Sequence, residues 1–408
     1  MNKHIKRILI IIILFVLFFT GIEIGKNILN DSEKETTERQ VNNTVRNEVI
    51  NNETKSNETD NIEDKHNNEL FGAYYEKAED IMEDMTIEEK VGQIFLVRYP
   101  DEGVIQEIQN YNPGGYILFS KDFDNQTKES ILQELSNCQE NSKIKMIFGV
   151  DEEGGTVVRV SNHKAFRNTK FLSPQQLWNK GQLNAILEDS TEKSNLLKSI
   201  GLNMNLTPVA DVPTSPSSFI YQRSYGRGAE KTSIYVSRLV ETMNKDNMIS
   251  TLKHFPGYGD NVDTHTGIAI DKRDYQVFEN SDFLPFKSGI ESKVPTILVS
   301  HNIVESMDKE YPASLSKNVH DILRNELNFS GVIMTDDLAM DAVKNYVENG
   351  EAAVQAVLAG NDIIISSDFI TQRNEILQAI KNNKISEEQI NMAVKRVLAL
   401  KCEYEIIK

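Results

Sequence analysis

Cysteine is scarce in this chain. Cys138 and Cys402 are the two present in 408 residues, so a disulfide framework is not the basis of the fold. Basic charge is short as well. Forty-four Lys and Arg stand against 61 Asp and Glu, a formal charge of −17. That balance argues against nucleic acid as a partner, because phosphate binding needs clustered Lys and Arg. No phosphate-binding glycine loop is present, since Gly154-Gly155 lacks the lysine and the spacing of a P-loop. No internal repeat is evident. A long apolar run is also missing. The run Ile8 to Phe19 follows Lys3, Lys6 and Arg7, and it is short for a full membrane span.

A basic start followed by an apolar core has the form of an export signal. No small-x-small cleavage site follows it, and no cysteine lies nearby for lipidation. The reading is an uncleaved signal anchor over residues 1–25, with the remainder on the extracellular face of the membrane. A cleaved signal peptide and a secreted chain are the alternative. Residues 26–69 are rich in Asn, Glu, Thr, Lys and Asp and poor in large apolar side chains. Such a segment cannot bury enough surface to offset its ordering entropy, so it reads as a disordered polar linker. Residues 70–408 form the expected folded domain.

Within that domain, apolar runs of strand length alternate with amphipathic stretches. Residues 73–91 read as helix. The strand candidates are Gly92 to Arg98, Gly115 to Ser120, Lys145 to Asp151, Asn203 to Pro208, Thr251 to Phe255, Thr296 to His301, Gly331 to Thr335 and Asp362 to Ser366. Most are continuously apolar, as parallel strands buried on both faces must be. Helical stretches such as Thr232 to Asp246, Ser316 to Leu327 and Gly350 to Leu358 separate them. The alternation implies right-handed βα units. Eight of them predict an α/β fold with a single (β/α)8 TIM-type barrel, and an open doubly wound sheet is the alternative. Nearly every candidate strand ends in a reactive or charged group: Arg98, Ser120, Asp151, Lys253-His254, His301-Asn302, Asp336 and Asp368. A barrel would bring these C-terminal ends to one mouth.

The densest stretch is Lys253 to Gly267, which holds two of the chain's seven histidines. Pro256 and the glycines after it rule out a long helix, so a strand end runs into a loop. In Asp263-Thr264-His265 the carboxylate stands two residues from the imidazole and can orient the ring. A plain polar loop is the bland alternative. A metal site of His254, Asp260, Asp263 and His265 is another, although its spacing matches no known metal motif. Asp336 ends an apolar strand, and Asp337 beside it suits a helix cap. Asp151, with Arg159 near it, reads as either a ligand-binding carboxylate or half of a salt bridge. The Tyr221 to Gly226 segment reads as a polar loop that can add Arg223. Carboxylates, arginine, lysine and histidine around one mouth suit a polyhydroxylated substrate. Glycoside hydrolysis then needs a carboxylate at the anomeric carbon, for which Asp336 is the candidate. It also needs a proton donor, for which His265 oriented by Asp263 is the candidate.

Four segments carry a resemblance to a known family. They are Val150 to Gly155 with Arg159, Tyr221 to Gly226, Lys253-His254-Phe255-Pro256-Gly257 through Asp263-Thr264-His265, and Gly331 to Leu338. Residues 75–402 resemble glycoside hydrolase family 3, in its NagZ-like β-N-acetylglucosaminidase branch (β-N-acetylhexosaminidases). The resemblance implies a retaining mechanism, with Asp336 as nucleophile and Asp263-His265 as the acid/base dyad. It implies substrate contacts from Asp151, Arg159, Arg223, Lys253 and His254, with no metal and no cofactor. The branch draws its acid/base from this barrel loop, and the chain ends soon after the eighth strand, which agrees with that source. The expected partner is a GlcNAc-containing glycan, such as a cell-wall fragment, acted on by a monomer. A β-glucosidase or β-xylosidase, a phosphorylase and a silent glycan-binding protein are the competing readings. Tyr258, Glu152 and Thr156 stand where the family usually has His, Gln and Arg, and Thr264 where Ser is commoner. Those changes bear on affinity and chain-length preference.

Overall fold

Eight parallel strands form the centre of the protein, in the order β10-β1-β2-β3-β4-β5-β7-β9. They are β1 (Phe95–Arg98), β2 (Gly115–Leu118), β3 (Ile147–Val150), β4 (Met204–Asn205), β5 (Ile249–Phe255), β7 (Thr296–Val299), β9 (Val332–Thr335) and β10 (Ile364–Ser366). The computed structural model describes residues 69–263, 269–340, 343 and 351–408. Those from Glu69 to Lys408 belong to one compact unit. The ring closes between β9 and β10 through the parallel bridge Met334–Ile363, with Thr335 N donating to Ile363 O at 3.1 Å. Each of the eight expected strands is present, seven of them shortened and β5 extended to begin at Ile249. The barrel, rather than the open sheet, is the architecture.

The strand residues are buried almost throughout because side chains of the barrel interior cover one face and helices the other. Gly115 shows how tightly neighbours approach: a Cβ there would stand 2.1 Å from Ile147 O. Helices Ala229–Lys245 and Glu351–Ala359 lie within a residue or a few of the expected bounds. The single helix expected over 73–91 is instead Tyr75–Glu83 and Ile87–Gln93. Thr86 splits it by forming a capping box, with Glu89 N donating to its hydroxyl and Thr86 N to the Glu89 carboxylate.

Two further short strands, β6 (Ile270–Asp271) and β8 (Ile303–Val304), pair in parallel in the loops that follow β5 and β7. Nothing in the sequence reading anticipated them. No helix among the described residues is long and apolar enough to cross a membrane. The signal-anchor reading of residues 1–25 and the linker reading of 26–68 lie outside the described residues.

Candidate active site

At the C-terminal ends of the strands lies a cavity of about 400 Å³. Ile117, Leu206, Leu298 and Ile365 give it apolar surface, while Asp151, Arg159, Arg223, Lys253, His254, Asp263 and Asp336 bring charge and polarity. The described residues singled out in the sequence for catalysis and binding therefore meet at one place. His265 lies outside the described residues.

Local geometry explains how they arrive. After β3 the chain turns at Gly154 and Gly155, whose φ values of +105° and +65° favour glycine. A Cβ on Gly154 would stand 2.2 Å from Leu172 O. Glu152, fully buried, holds the returning loop by accepting the amides of Arg159 and Val160 at 2.7 Å, that of Ser161 at 3.3 Å and the Ser161 hydroxyl. A carboxylate, which only accepts, suits that task. The departure at position 152 is thus absorbed behind the cavity wall. Thr156 is exposed and outside the cavity lining. Tyr258 packs its ring 5.1 Å from that of His254 and 5.1 Å from that of Phe219.

The binding groups form one ionic web. Lys253 Nζ meets Asp151 Oδ1 at 2.5 Å and Glu153 Oε1 at 2.7 Å. Arg223 grips Glu153 with two parallel bonds, Nη2–Oε1 at 2.7 Å and Nε–Oε2 at 3.0 Å. Burial alone would raise the Glu153 carboxyl, but Arg223 and Lys253 overcome it and hold it well below the usual carboxylate range. Burial likewise works against the Lys253 ammonium, yet Asp151 and Glu153 keep its pKa above the ordinary value. Arg223 Nη2 also lies 3.2 Å from His254 Nε2, and His254 Nδ1 lies 2.7 Å from Asp211 Oδ2. A guanidinium can only donate, so Nε2 accepts and Nδ1 carries the hydrogen that Asp211 receives. The imidazole is locked in one tautomer between them.

Asp336 is fixed by its backbone, with N donating to Val299 O at 3.1 Å, and its Oδ1 accepts the Asp337 amide at 2.9 Å. Asp337 turns its carboxylate to the amides of Ala339 and Ser367 at 2.9 and 3.2 Å and to the Ser367 hydroxyl. Both aspartates line the cavity.

Other strand-end groups do not reach it. Arg98 pairs with Asp122 at 2.7 Å and stacks 4.1 Å above Phe119. Ser120 bonds His163, His301 bonds Ser314 and the Asp337 carbonyl, Asn302 bonds Ser300, and the Asp368 amide bonds Ser366. The side chains of Arg98, Ser120, His301 and Asn302 are taken up by neighbours, and Asp368 is not among the lining residues, which corrects the expectation that all would converge. Nor do Asp151 and Arg159 form a salt bridge: Asp151 pairs with Lys253, and Arg159 Nε is buried without a hydrogen-bond partner. Asp260 accepts the amides of Thr214 and Ser215 at 2.9 Å instead of joining His254 in a metal cluster, and among the described residues no group of three metal-binding side chains gathers.

Three contributors escaped the sequence reading as site residues. Glu153 stood in a quoted motif but carried no role. Asp211 stands six residues beyond the end of β4, too far for the strand-end rule that found Asp151. Phe119 lines the cavity beside Arg98 and Arg159. It follows β2 directly.

A family model described as the glycosyl hydrolase family 3 N-terminal domain matches residues 86–400. A beta-hexosaminidase from Nitrosomonas eutropha is 29% identical over 277 residues, 66% of this chain and 77% of that protein. Beta-hexosaminidase A from Pseudoalteromonas piscicida is 28% identical over 325 residues, 72% of this chain but 54% of that protein. The solved structure of a glycoside hydrolase family 3 beta-N-acetylglucosaminidase from Paenibacillus sp. superposes with a TM-score of 0.74 at 28% identity, covering 79% of this chain and 63% of that one. The chain thus spans little more than half the length of the Pseudoalteromonas protein and under two thirds of the Paenibacillus one. With the barrel, the loaded cavity and the family model in agreement, the chain belongs to glycosyl hydrolase family 3, through its N-terminal domain.

Proposed function

We propose that the protein is a retaining exo-β-N-acetylglucosaminidase that removes terminal β-linked N-acetylglucosamine from cell-wall fragments or related glycans. The observation that carries the reading is the meeting of Asp336 and Asp263 in one cavity with the Asp151–Lys253–Glu153–Arg223–His254 web. The beta-hexosaminidase relatives support the acetamido sugar as substrate. A cavity of about 400 Å³ suits one sugar ring, in keeping with action at a chain end.

In this mechanism, an Asp336 oxygen attacks the anomeric carbon as the bond to the leaving oxygen breaks. The leaving oxygen takes a proton from His265, which Asp263 orients. Water then gives its proton to His265, and its oxygen displaces Asp336 from the sugar. An imidazole titrating near neutrality suits both halves of that exchange. Asp151, Lys253, Arg223 and Arg159 would hold the sugar hydroxyls, with His254, both of whose ring nitrogens are engaged, lining the cavity and fixing Arg223. The pairing of Lys253 and Arg223 with Asp151 and Glu153 fixes those donors before the substrate arrives, which reduces the reorganisation needed in the transition state. The same reading takes residues 1–25 as an export anchor, so that the enzyme works as a monomer on the outer face of the membrane.

Release of p-nitrophenol from the β-N-acetylglucosaminide and the β-glucoside, measured side by side, tests the assignment. A strong preference for the acetamido sugar supports it. Preference for the glucoside overturns the substrate, and no turnover by folded protein overturns the enzyme.

A further inference from the structure

The loop that ends in Asp263 has its supports outside the cavity. Asp260 is held by Thr214 and Ser215 and the Tyr258 amide by Asp211, and Arg273 ties the start of the loop to the strand that follows it. Its Nη2 donates to Gly257 O at 2.9 Å, on the entry side of the loop. Its Nε and Nη2 donate to the Asp271 carboxylate, at 2.9 and 2.7 Å for Oδ2, on the exit side in β6. Its Nη1 donates to both oxygens of Asp282, at 3.1 and 3.0 Å. The guanidinium also lies 4.2 Å from the Phe278 ring centroid.

The loop backbone is moulded to this group. Gly259 has φ +55°, and a Cβ there would stand 2.6 Å from Arg273 Nη1. Gly257 has φ +117°, and a Cβ there would stand 2.4 Å from Asp282 Oδ1. One rigid fork therefore grips the two ends of the segment between Gly257 and Asp271. A lysine offers a point charge and cannot reproduce that geometry. Neither Arg273 nor its two carboxylate partners line the cavity.

We propose that Arg273 is a positioning residue for proton transfer: by fixing both ends of the loop that carries Asp263, it sets where the acid/base pair stands relative to Asp336. The inference rests on the functional reading above. It separates from a merely stabilising ion pair through the leaving group. Departure of 2,4-dinitrophenolate needs no proton, whereas departure of 4-methoxyphenolate does. Misplacing the acid should slow only the second.

The test compares kcat/KM, which reports formation of the glycosyl-enzyme, for both aryl β-N-acetylglucosaminides. Wild type, Arg273→Lys and Gly257→Ala are measured in the full chain, with thermal melting as a check on folding. Gly257→Ala removes no charged group but drives a methyl against Asp282 Oδ1, so it disturbs the same anchor from the loop side. The expected result is a loss on the order of 100-fold for the 4-methoxyphenyl substrate and less than about 5-fold for the dinitrophenyl one. Equal losses on both substrates, or none on either, overturn the positioning role while leaving the functional reading intact. Absence of turnover by the wild-type chain overturns both.

Discussion

Glu153 shows what a single buried carboxylate does here. It is the shared acceptor for Lys253 and Arg223, and at 2% side-chain exposure it is cut off from water. Removing its charge leaves two cations facing each other with Asp151 as the remaining carboxylate partner of Lys253. Glu153→Gln is expected to cost about 3 kcal/mol of stability by chemical denaturation, the size typical of breaking a buried pair from one side. Because its folded pKa is depressed, its stabilising contribution is present above the ordinary glutamate pKa of about 4.3 and is lost as pH falls below that value. The acid limb of the stability curve should therefore flatten in Glu153→Gln relative to wild type. Asp336→Ala should lower kcat by at least about 1000-fold with little change in melting temperature, since it removes the attacking oxygen. A loss of under about tenfold in that variant would place the nucleophile elsewhere. At this scale the sequence was most readable where a polar residue ends an apolar strand: Asp151, Lys253, His254 and Asp336 all face the cavity. The same rule overreached at Arg98 and His301, because spacing along a strand does not reveal which neighbour captures a side chain. Asp211 was passed over although it holds His254 in its tautomer.

Among the elements, the segment after β5 concentrates the most constraint. Burial pushes the Asp282 carboxyl up to about 7 despite the Arg273 guanidinium beside it, with Asp211 and Asp271 adding negative charge nearby. The sign follows from proton linkage. Between about pH 4 and pH 7 the folded state holds a proton that the unfolded chain has released, so this group makes stability fall as pH rises through that window. Asp282→Asn should remove that decline, as read from melting temperatures across the window. A decline of unchanged slope would contradict it. Gly154→Ala, with φ +105° and Leu172 O in the way, should lower stability by more than about 1 kcal/mol and raise KM, because the loop bearing Arg159 turns there. The barrel strands were legible because both faces are buried, which leaves an unbroken apolar run. The pair β6 and β8 was not, since two-residue strands carry no periodicity. The break at Thr86 was written in its Thr-x-x-Glu capping box, and the apolar spacing on either side concealed it.

For the whole molecule, the unit from Glu69 to Lys408 holds the barrel and every described site residue. A chain beginning at Glu69 should match the full chain in melting temperature and in kcat on a soluble aryl glycoside. A drop of more than about 4 °C, equivalent to roughly 3 kcal/mol in a domain of this size, would show that the preceding residues contribute to the fold. A carbohydrate, being uncharged, meets no repulsion from a chain of formal charge −17. The central claim is that Asp336 becomes glycosylated during turnover. It is tested most directly by incubating the protein with a 5-fluoro N-acetylglucosaminyl fluoride, which slows release of the sugar, and mapping the labelled peptide by mass spectrometry. The account predicts one added glycosyl group on the peptide containing Asp336 and none in Asp336→Ala. A label on another carboxylate, or on His265, would contradict it.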